Sequence, residues 1–466
     1  MFPIRLLITL IIIFSCQYLA SQNQFIFGDS LINEKGIVSH QLPDGSIWIG
    51  GSSMPDSNLN MDVMAVRIDT GGNILSPYYT YGTNYAETPN NLIYQNGRLI
   101  IAGEQYRPNN LNAFILVIDT TGIELSFQSY GQPNQSEQFF DIEPTLDGGF
   151  VVSGFSSAGI GNDFLIGKFD SLQQLEWLQS YDLASNESGV TILENPNGGY
   201  IIAGDQLQFF GSFYNVALLG LDASGSVLWN SVVSSPFNSG CKSMVSIGDE
   251  ILIVGETETS TSTLFDIFLA RVDWFGNVKW KGSIPQSDNG DACFDASIKS
   301  DNEFVLTGYS YSTINQNTDI FVISVDSLGT ILSEEYFNNG YFEMGYNIQP
   351  NLYGGFITTG FTFDPSSGDS QIFVSFPEIN LNTALNQITN NPTAFNLYPN
   401  PTKSKIFLPE YFIDYDFKVF DILGKEYFCE KSNNQINFQH LIAGVYFVIF
   451  SNKSGSKKFS RKVVKE

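Results

Sequence analysis

The sequence predicts an all-β protein, a seven-bladed β-propeller built from four-stranded repeats of about 51 residues and followed by a small Ig-like β-sandwich. Three observations carry this. A glycine closing a short apolar run recurs as Gly51, Gly103, Gly154, Gly204, Gly255, Gly308 and Gly360, at spacings between 50 and 53 residues. An acid closing the next apolar run recurs in step as Asp69, Asp119, Asp170, Asp222, Asp273, Asp326 and Glu378. The aromatic–glycine pair that ends the outermost strand of early copies, Tyr81-Gly82 and Tyr130-Gly131, has a match at Phe27-Gly28, before the first full copy begins.

Composition agrees with a strand-rich fold. Phe 39 and Tyr 22 favour strands, Gly 42 supplies turns, and only 15% of the 466 residues are charged. No long segment keeps a 3.6-residue apolar period. The net charge of −26 is unevenly spread: from Asn391 onward 11 Lys+Arg face 7 Asp+Glu, while the preceding 390 residues hold 11 against 41. An acidic body repels nucleic acid and anionic membranes, so neither is an expected partner. The basic end points to a second domain with its own task.

Residues 1–21 read as a secretory signal peptide, with Arg5 in the n-region, an apolar core from Leu6 to Phe14 and cleavage near Ala20 or Ser21. That core is too short to span a bilayer, and no other segment is suited to it, so no transmembrane span is expected in the mature protein. A lipoprotein reading would use Cys16, but Phe14 is too bulky for its usual context. Cys241 and Cys293 occupy corresponding places in adjacent copies; a disulfide between them needs Cα atoms within about 7 Å, and buried reduced thiols are the simpler reading.

Residues 22–380 form the propeller. The third copy, for example, reads as strands over Phe139–Leu146, Gly149–Phe155, Asp163–Phe169 and Leu175–Tyr181. Nearly continuous apolar runs such as FVVSG and DFLIGKF suit strands covered on both faces. The seventh copy lacks a fourth strand of its own, so the N-terminal strand should complete it and close the ring, removing the exposed sheet edges of an open array. Residues 381–395 are Asn-rich and read as a linker, and 396–466 as the sandwich.

The segments LYPNP, KVFDILGKE, LIAGVYFVIF and KKFSRKVVK resemble the type A C-terminal sorting domain of the type IX secretion system of Bacteroidetes. The matching positions are Asn400, Pro401, Asp421, Gly424, Lys425, Gly444, Tyr446 and Lys462. The resemblance implies export through the inner membrane by the signal peptide and then across the outer membrane by the type IX machinery. The domain is usually removed, with the cargo released or attached to the cell surface. The repeat itself, with LDASGSVLW at Leu221–Trp229, resembles the tryptophan-docking propellers of quinone-dependent dehydrogenases. The Asp-to-Trp spacing is one residue shorter and the blade count differs, so this likeness supports the fold and not the chemistry.

The repeated Asp170-type acids read as caps of hairpin turns, with Gly72, Gly122, Gly225, Gly276 or Gly329 three residues on. The series Asp62, Asn112, Asp163, Asn215, Asp266, Asp319 and Gln371 has the same structural character, since amides alternate with acids. A second acidic series, Glu34, Glu87, Glu137, Glu187, Asp291 and Glu343, follows the outer strands, with Ser239 in its place in the fifth copy. If the next strand is innermost, these acids ring one mouth of the central channel; the alternative is a repeated carboxylate accepting loop N–H hydrogen bonds. The loops between second and third strands vary most between copies, which is where binding on a rigid scaffold resides. Phe209, Phe210, Phe213 and Tyr214 make the most aromatic of them.

No catalytic constellation, metal spacing or cofactor motif emerges. Only His40 and His440 are present, and the propeller's arginines are Arg67, Arg98, Arg107 and Arg271, too few and too scattered for a sialidase-like site. The reading is an exported, non-enzymatic propeller at the cell surface or in the medium, binding a protein or glycan ligand through its loop face. The alternative is an exported carbohydrate-active hydrolase or lyase using the channel-mouth carboxylates.

Overall fold

The computed structural model describes residues 24–377 and 402–465, apart from short segments at 29–31, 56–59, 160, 184–185, 208–213, 236, 259–264, 285–289, 301, 313–315, 353, 409–415, 422–424, 433–434 and 452–457. The expected signal peptide and linker, the loop aromatics Phe209, Phe210 and Phe213, and Asn400, Pro401 and Gly424 lie outside the described residues. Contacts divide the chain into two units, Met1–Asn380 and Leu381–Glu466.

Unit one contains seven antiparallel four-stranded sheets, six of them meanders in sequence order and the seventh completed by the N-terminal strand. Their first strands are Ile32–Gln41, Ala86–Gln95, Glu137–Pro144, Glu187–Glu194, Ser239–Ile247, Asp291–Ser300 and Phe342–Pro350, in blades 1 to 7. Each contacts the first strand of the next blade, and the seventh contacts the first, so these strands line the axis of a closed ring. Blade 7 takes its outer strand from the N-terminus: Gln24–Phe27 pairs with Asp369–Ser375, Phe27 opposite Ile372. Tyr81 opposite Val63 and Tyr181 opposite Phe164 hold the same register within their own blades.

The apolar core is distributed over the seven junctions between blades. One cluster packs Ile201 and Leu218 of blade 4 on Ile253 and Phe268 of blade 5. Another closes the ring by packing Phe25, Phe27 and Ile372 of blade 7 on Ile49 and Val66 of blade 1. The fourth strands complete each junction. The Tyr81 hydroxyl donates to the Gly122 carbonyl at 2.7 Å, and that of Tyr181 to Gly225 at 2.6 Å. Trp229 and Trp280 lie over Gly276 and Gly329 of the following blade, where a Cβ would come within 2.5 and 2.7 Å of the indole. The tryptophans are therefore docking residues between blades.

The repeat glycine has a single physical cause. At all seven positions a Cβ would fall 1.8–2.1 Å from a carbonyl oxygen of the inner strand. Immediately beyond the residue facing each glycine, the inner strand slips register by one residue, as between Phe139 and Asp141 or Cys293 and Asp295. Glycine lets the two strands close together there, and the bulge re-aims one side chain per blade.

The acid at the end of the third strand caps its turn in blades 1 to 6; Glu378, its counterpart in blade 7, lies outside the described residues. Asp170 Oδ1 accepts the N–H groups of Leu172 and Gln174 at 2.8 Å, and Asp69, Asp119, Asp222, Asp273 and Asp326 do the same in their copies. Arg67 and Arg271 are structural, paired with Asp44 in the first turn of blade 1 and with Glu250 at the start of the second strand of blade 5. Lys168, which sequence reasoning passed over, occupies the same place and bridges Asp147 at 2.7 Å and Glu176 at 3.2 Å. Cys241, Cys293 and Cys429 are buried free thiols.

Unit two holds a three-stranded sheet and a four-stranded sheet, the latter ordered Glu426–Tyr427, Asp416–Asp421, Gly444–Ser451, Lys458–Lys465. Its core includes Ile406, Val419, Ile436, Phe438, Val448 and Val463. Tyr446 is buried there, its hydroxyl donating to the Ile442 carbonyl at 3.0 Å. Gly444 opens the third strand of that sheet, and Lys462 and Asp421 lie in strands of the same sheet. Lys425 is exposed, its ammonium 5.1 Å from the Tyr427 ring centre.

Candidate functional site

The acids expected around the channel mouth stand in equivalent places, at or within two residues of the start of the inner strands. All six are buried, none more than 4% exposed. Glu87 accepts hydrogen bonds from the Thr83 N–H at 3.2 Å and Gln105 Nε2 at 2.7 Å, and Glu343 from the Asn339 N–H at 2.8 Å. Glu137 accepts from Gln132 N–H at 3.4 Å and Glu187 from Gln206 Nε2 at 3.1 Å. These carboxylates lie beneath the crossover loops, and Glu34, Glu87, Glu137, Glu187, Asp291 and Glu343 are absent from the walls of the axial cavity. Burial, with Asp319 nearby, pushes the Glu343 carboxyl up to about 8.

The cavity itself, of about 680 Å³, is walled by residues slightly further along the inner strands. Its most regular contributors are the seven bulge residues Ile37, Asn90, Phe140, Val190, Lys242, Phe294 and Tyr346. Each stands three residues after the buried acid, or after Ser239 in blade 5. Ser52, Met61, Tyr106 and Asp205 add lining near the ends of the second strands and the start of a third. The cavity thus lies toward the variable loops between second and third strands.

Bulge residues pair within their own blade with the residue following the repeat glycine. In three blades the pair is aromatic: Phe140 with Phe155, Phe294 with Tyr309 and Tyr346 with Phe361, at ring-centre distances of 6.0, 5.8 and 5.6 Å. Phe294 also contacts Tyr346 at 5.1 Å, joining blades 6 and 7 into one wall, with Lys35 Nζ 4.8 Å from the Phe361 ring centre. In two blades the pair is polar. Asn90 Nδ2 donates to Glu104 Oε2 at 2.5 Å, and Lys242 Nζ lies 3.0 Å from Glu256 Oε1.

One residue beyond the bulge in blades 2 to 7, a polar girdle ties blades together. Asp141 accepts from Asn91 of blade 2 at 2.5 Å and from Thr191 Oγ1 and Ile192 N–H of blade 4 at 2.9 and 3.0 Å. Asp295 likewise accepts from Ser243 of blade 5 and from Asn347 and Ile348 of blade 7, at 2.8–2.9 Å. Their carboxyl groups are fully used in holding the ring. Burial raises the carboxyl of Asp295 to about 6, that of Asp205 to about 6 and that of Glu104 to about 7, against the lowering effect of their hydrogen bonds.

Among the described residues, one carboxylate group has the spacing to hold a cation: Asp163, Asp182 and Glu187, with oxygens within 4.8 Å of one another. Burial and then the charges of Asp182 and Glu187 raise the Asp163 carboxyl. Asp163 belongs to the mixed Asp/Asn series, and the third acid arises because blade 3 has Asp182 where blades 1 and 2 have Gly82 and Gly131.

Sequence reasoning located the buried acids and missed the axial pairs. The signal was present one residue after the repeat glycine, where side-chain chemistry changes from copy to copy (Ser52, Glu104, Phe155, Asp205, Glu256, Tyr309, Phe361) beside an invariant glycine.

These features define an exported all-β protein, a closed seven-bladed propeller with an axial cavity and a separate C-terminal sandwich. Residues 396–466 match the family of secretion system C-terminal sorting domains, and the chain is a cargo of type IX secretion, delivered to the cell surface or the medium. No curated protein matches the chain. Similar solved structures include PorZ, a bacterial surface component of the type-IX secretion system of Porphyromonas gingivalis, at 10% identity over 96% of this chain and 68% of that one, with a TM-score of 0.37. The β-propeller domain of the Trilobed protease from Pyrococcus furiosus is 10% identical over 73% of this chain and 93% of its own, with a TM-score of 0.44. A PL25 ulvan lyase is 11% identical over 75% and 95%, with a TM-score of 0.46. The fold assignment rests on the blades themselves.

Proposed function

We propose that this exported propeller is a binding protein of the cell surface or its surroundings, which holds a protein or glycan ligand at the face where the axial cavity lies. One observation carries the reading. The repeat preserves its glycine, turn acid and buried carboxylate in nearly every copy, yet places aromatic, polar, charged and aliphatic side chains at the equivalent positions around the axis. A ring serving only as a spacer has no need of an asymmetric centre, whereas an asymmetric ligand does. The volume of about 680 Å³ falls in the range of small-molecule sites, roughly 300–1,000 Å³.

The competing reading, a carbohydrate-active enzyme, has one specific support. Glu104 and Asp205, kept protonated toward neutral pH by burial, have the character of general acids. In the binding reading they are hydrogen-bonding groups held by Asn90 and by the Cys241 N–H.

The test is an array of surface glycans and proteins probed with the full chain, its Lys242→Ala variant and its Leu172→Ala variant, the last altering an exposed turn at the other end of the strands. The expected result is retention by at least one ligand class, weakened about tenfold by Lys242→Ala and unchanged by Leu172→Ala. Release of cleaved products from any glycan by the wild type, abolished in Glu104→Gln, would decide for the enzyme.

A further inference from the structure

We infer that the axial cavity is shaped for a neutral pyranose ring of a glycan, an inference that rests on the binding role proposed above. In a ring of seven blades, blade 3 stands across the axis from the junction of blades 6 and 7. The aromatic pairs belong to these three blades: Phe140 with Phe155 on one side, and the joined Phe294–Tyr346 wall with its backing rings on the other. The polar pairs belong to blades 2 and 5, three blades apart, one on either side of the line joining the aromatic blades. The cavity therefore has two opposed aromatic sides with a polar pair on each flank.

A ligand matching that layout has two apolar faces and a polar edge. A pyranose with equatorial hydroxyls has this form, its C–H groups on both faces and its hydroxyls around the rim. Each hydroxyl donates and accepts; among the lining residues the Asn90 amide oxygen and the Asp205 carboxyl offer acceptors and the Lys242 ammonium offers donors. Charge decides against an acidic sugar. Of the two lysines on the walls, Lys242 is already paired with Glu256, and Asp141, Asp205 and Asp295 stand among the lining residues. The propeller around them carries a large negative excess, 41 acids against 11 bases over the first 390 residues. A phosphorylated nucleotide, the other common flat-ringed ligand, meets the same repulsion.

The experiment is binding of the full chain to an immobilised panel of neutral, amino-sugar, uronic-acid and sulfated oligosaccharides, with adenosine as a planar competitor. Wild type is expected to retain a neutral oligosaccharide. Tyr346→Ala should weaken this about tenfold and Asn90→Ala comparably, while Tyr346→Phe stays within about twofold, because the ring face and not the hydroxyl makes the contact. Near-ultraviolet circular dichroism checks that each variant keeps its packing. Preferential retention of uronic or sulfated glycans, displacement by adenosine, or neutral-glycan binding indifferent to Tyr346→Ala would overturn the inference. If no saccharide binds but a protein ligand is lost with Lys242→Ala, the sugar assignment fails and the binding role stands. If Lys242→Ala and Tyr346→Ala leave every interaction untouched, both fail.

Discussion

Each of the seven repeat glycines faces an inner-strand carbonyl at a distance that no Cβ tolerates. Replacing Gly154 by Ala puts a methyl group 1.8 Å from the Gln138 oxygen and must push the inner strand off its bulge. The expected loss is about 3 kcal/mol, read by urea unfolding, with Gly97→Ala as a control for a positive-φ glycine in open space. Titration is a second residue-scale matter. Burial, reinforced by Asp319, lifts Glu343 to about 8, and burial, reinforced by Asp141 and Glu194, lifts Glu143 to about 8. A carboxyl whose folded pKa exceeds its unfolded value binds more protons folded, so its favourable contribution is full at low pH and is lost between about pH 4.5 and 8. Asp147 runs the other way: burial would raise it, but hydrogen bonds from Lys168 and Thr145 bring it to about 2, and its contribution is lost only as pH falls from about 4 toward 2. The propeller should therefore be more stable at pH 5 than at pH 8, and Glu343→Gln should narrow the difference by roughly 1 kcal/mol or more. Equal thermal midpoints at the two pH values would contradict this.

At the scale of the element, the blade was legible and its innermost strand only partly so. The apolar run and turn acid of the third copy place two strands at Asp163–Phe169 and Leu175–Tyr181, and the structure has them at Gly161–Phe169 and Leu175–Tyr181. The inner strand, expected over Phe139–Leu146, runs over Glu137–Pro144 instead, because it begins at the buried carboxylate and ends before the Asp147 turn. That displacement hid the bulge, and with it the axial pairs. A simple two-residue alternation cannot announce a bulge, since the extra residue breaks the period that would reveal it. The loop aromatics were a natural guess for a ligand platform; of them only Tyr214 is described, and it is 45% exposed. The fourth strand carries its own prediction. Tyr181→Phe removes a buried hydrogen bond to Gly225 of the next blade and leaves that carbonyl unsatisfied. It should lower stability by about 1 kcal/mol in thermal unfolding without altering any binding at the axis.

For the whole molecule, closure and export were readable because each depends on a local signature at one end of the chain. Phe27-Gly28 repeats the end of an outer strand, and Gln24–Phe27 completes blade 7. Removing residues 24–27 should expose the edge at Asp369–Ser375 and open the junction that packs Phe25 and Phe27 on Ile49 and Val66, giving early proteolysis in blade 7. Deleting 396–466 should leave a folded propeller in the periplasm, and cell fractionation reads the outcome; unchanged delivery to the surface would count against the sorting role. The ligand was less legible, since its site is assembled from seven distant positions that differ from one another. The most direct measurement of the central claim is amide hydrogen exchange of the full chain, with and without the strongest ligand found on the array. The account predicts slowed exchange at the bulges of the inner strands, around Asn90, Lys242 and Tyr346. Slowing confined to the turns at the other end of the strands, such as Leu172 and Phe275, or to the C-terminal unit, would contradict it.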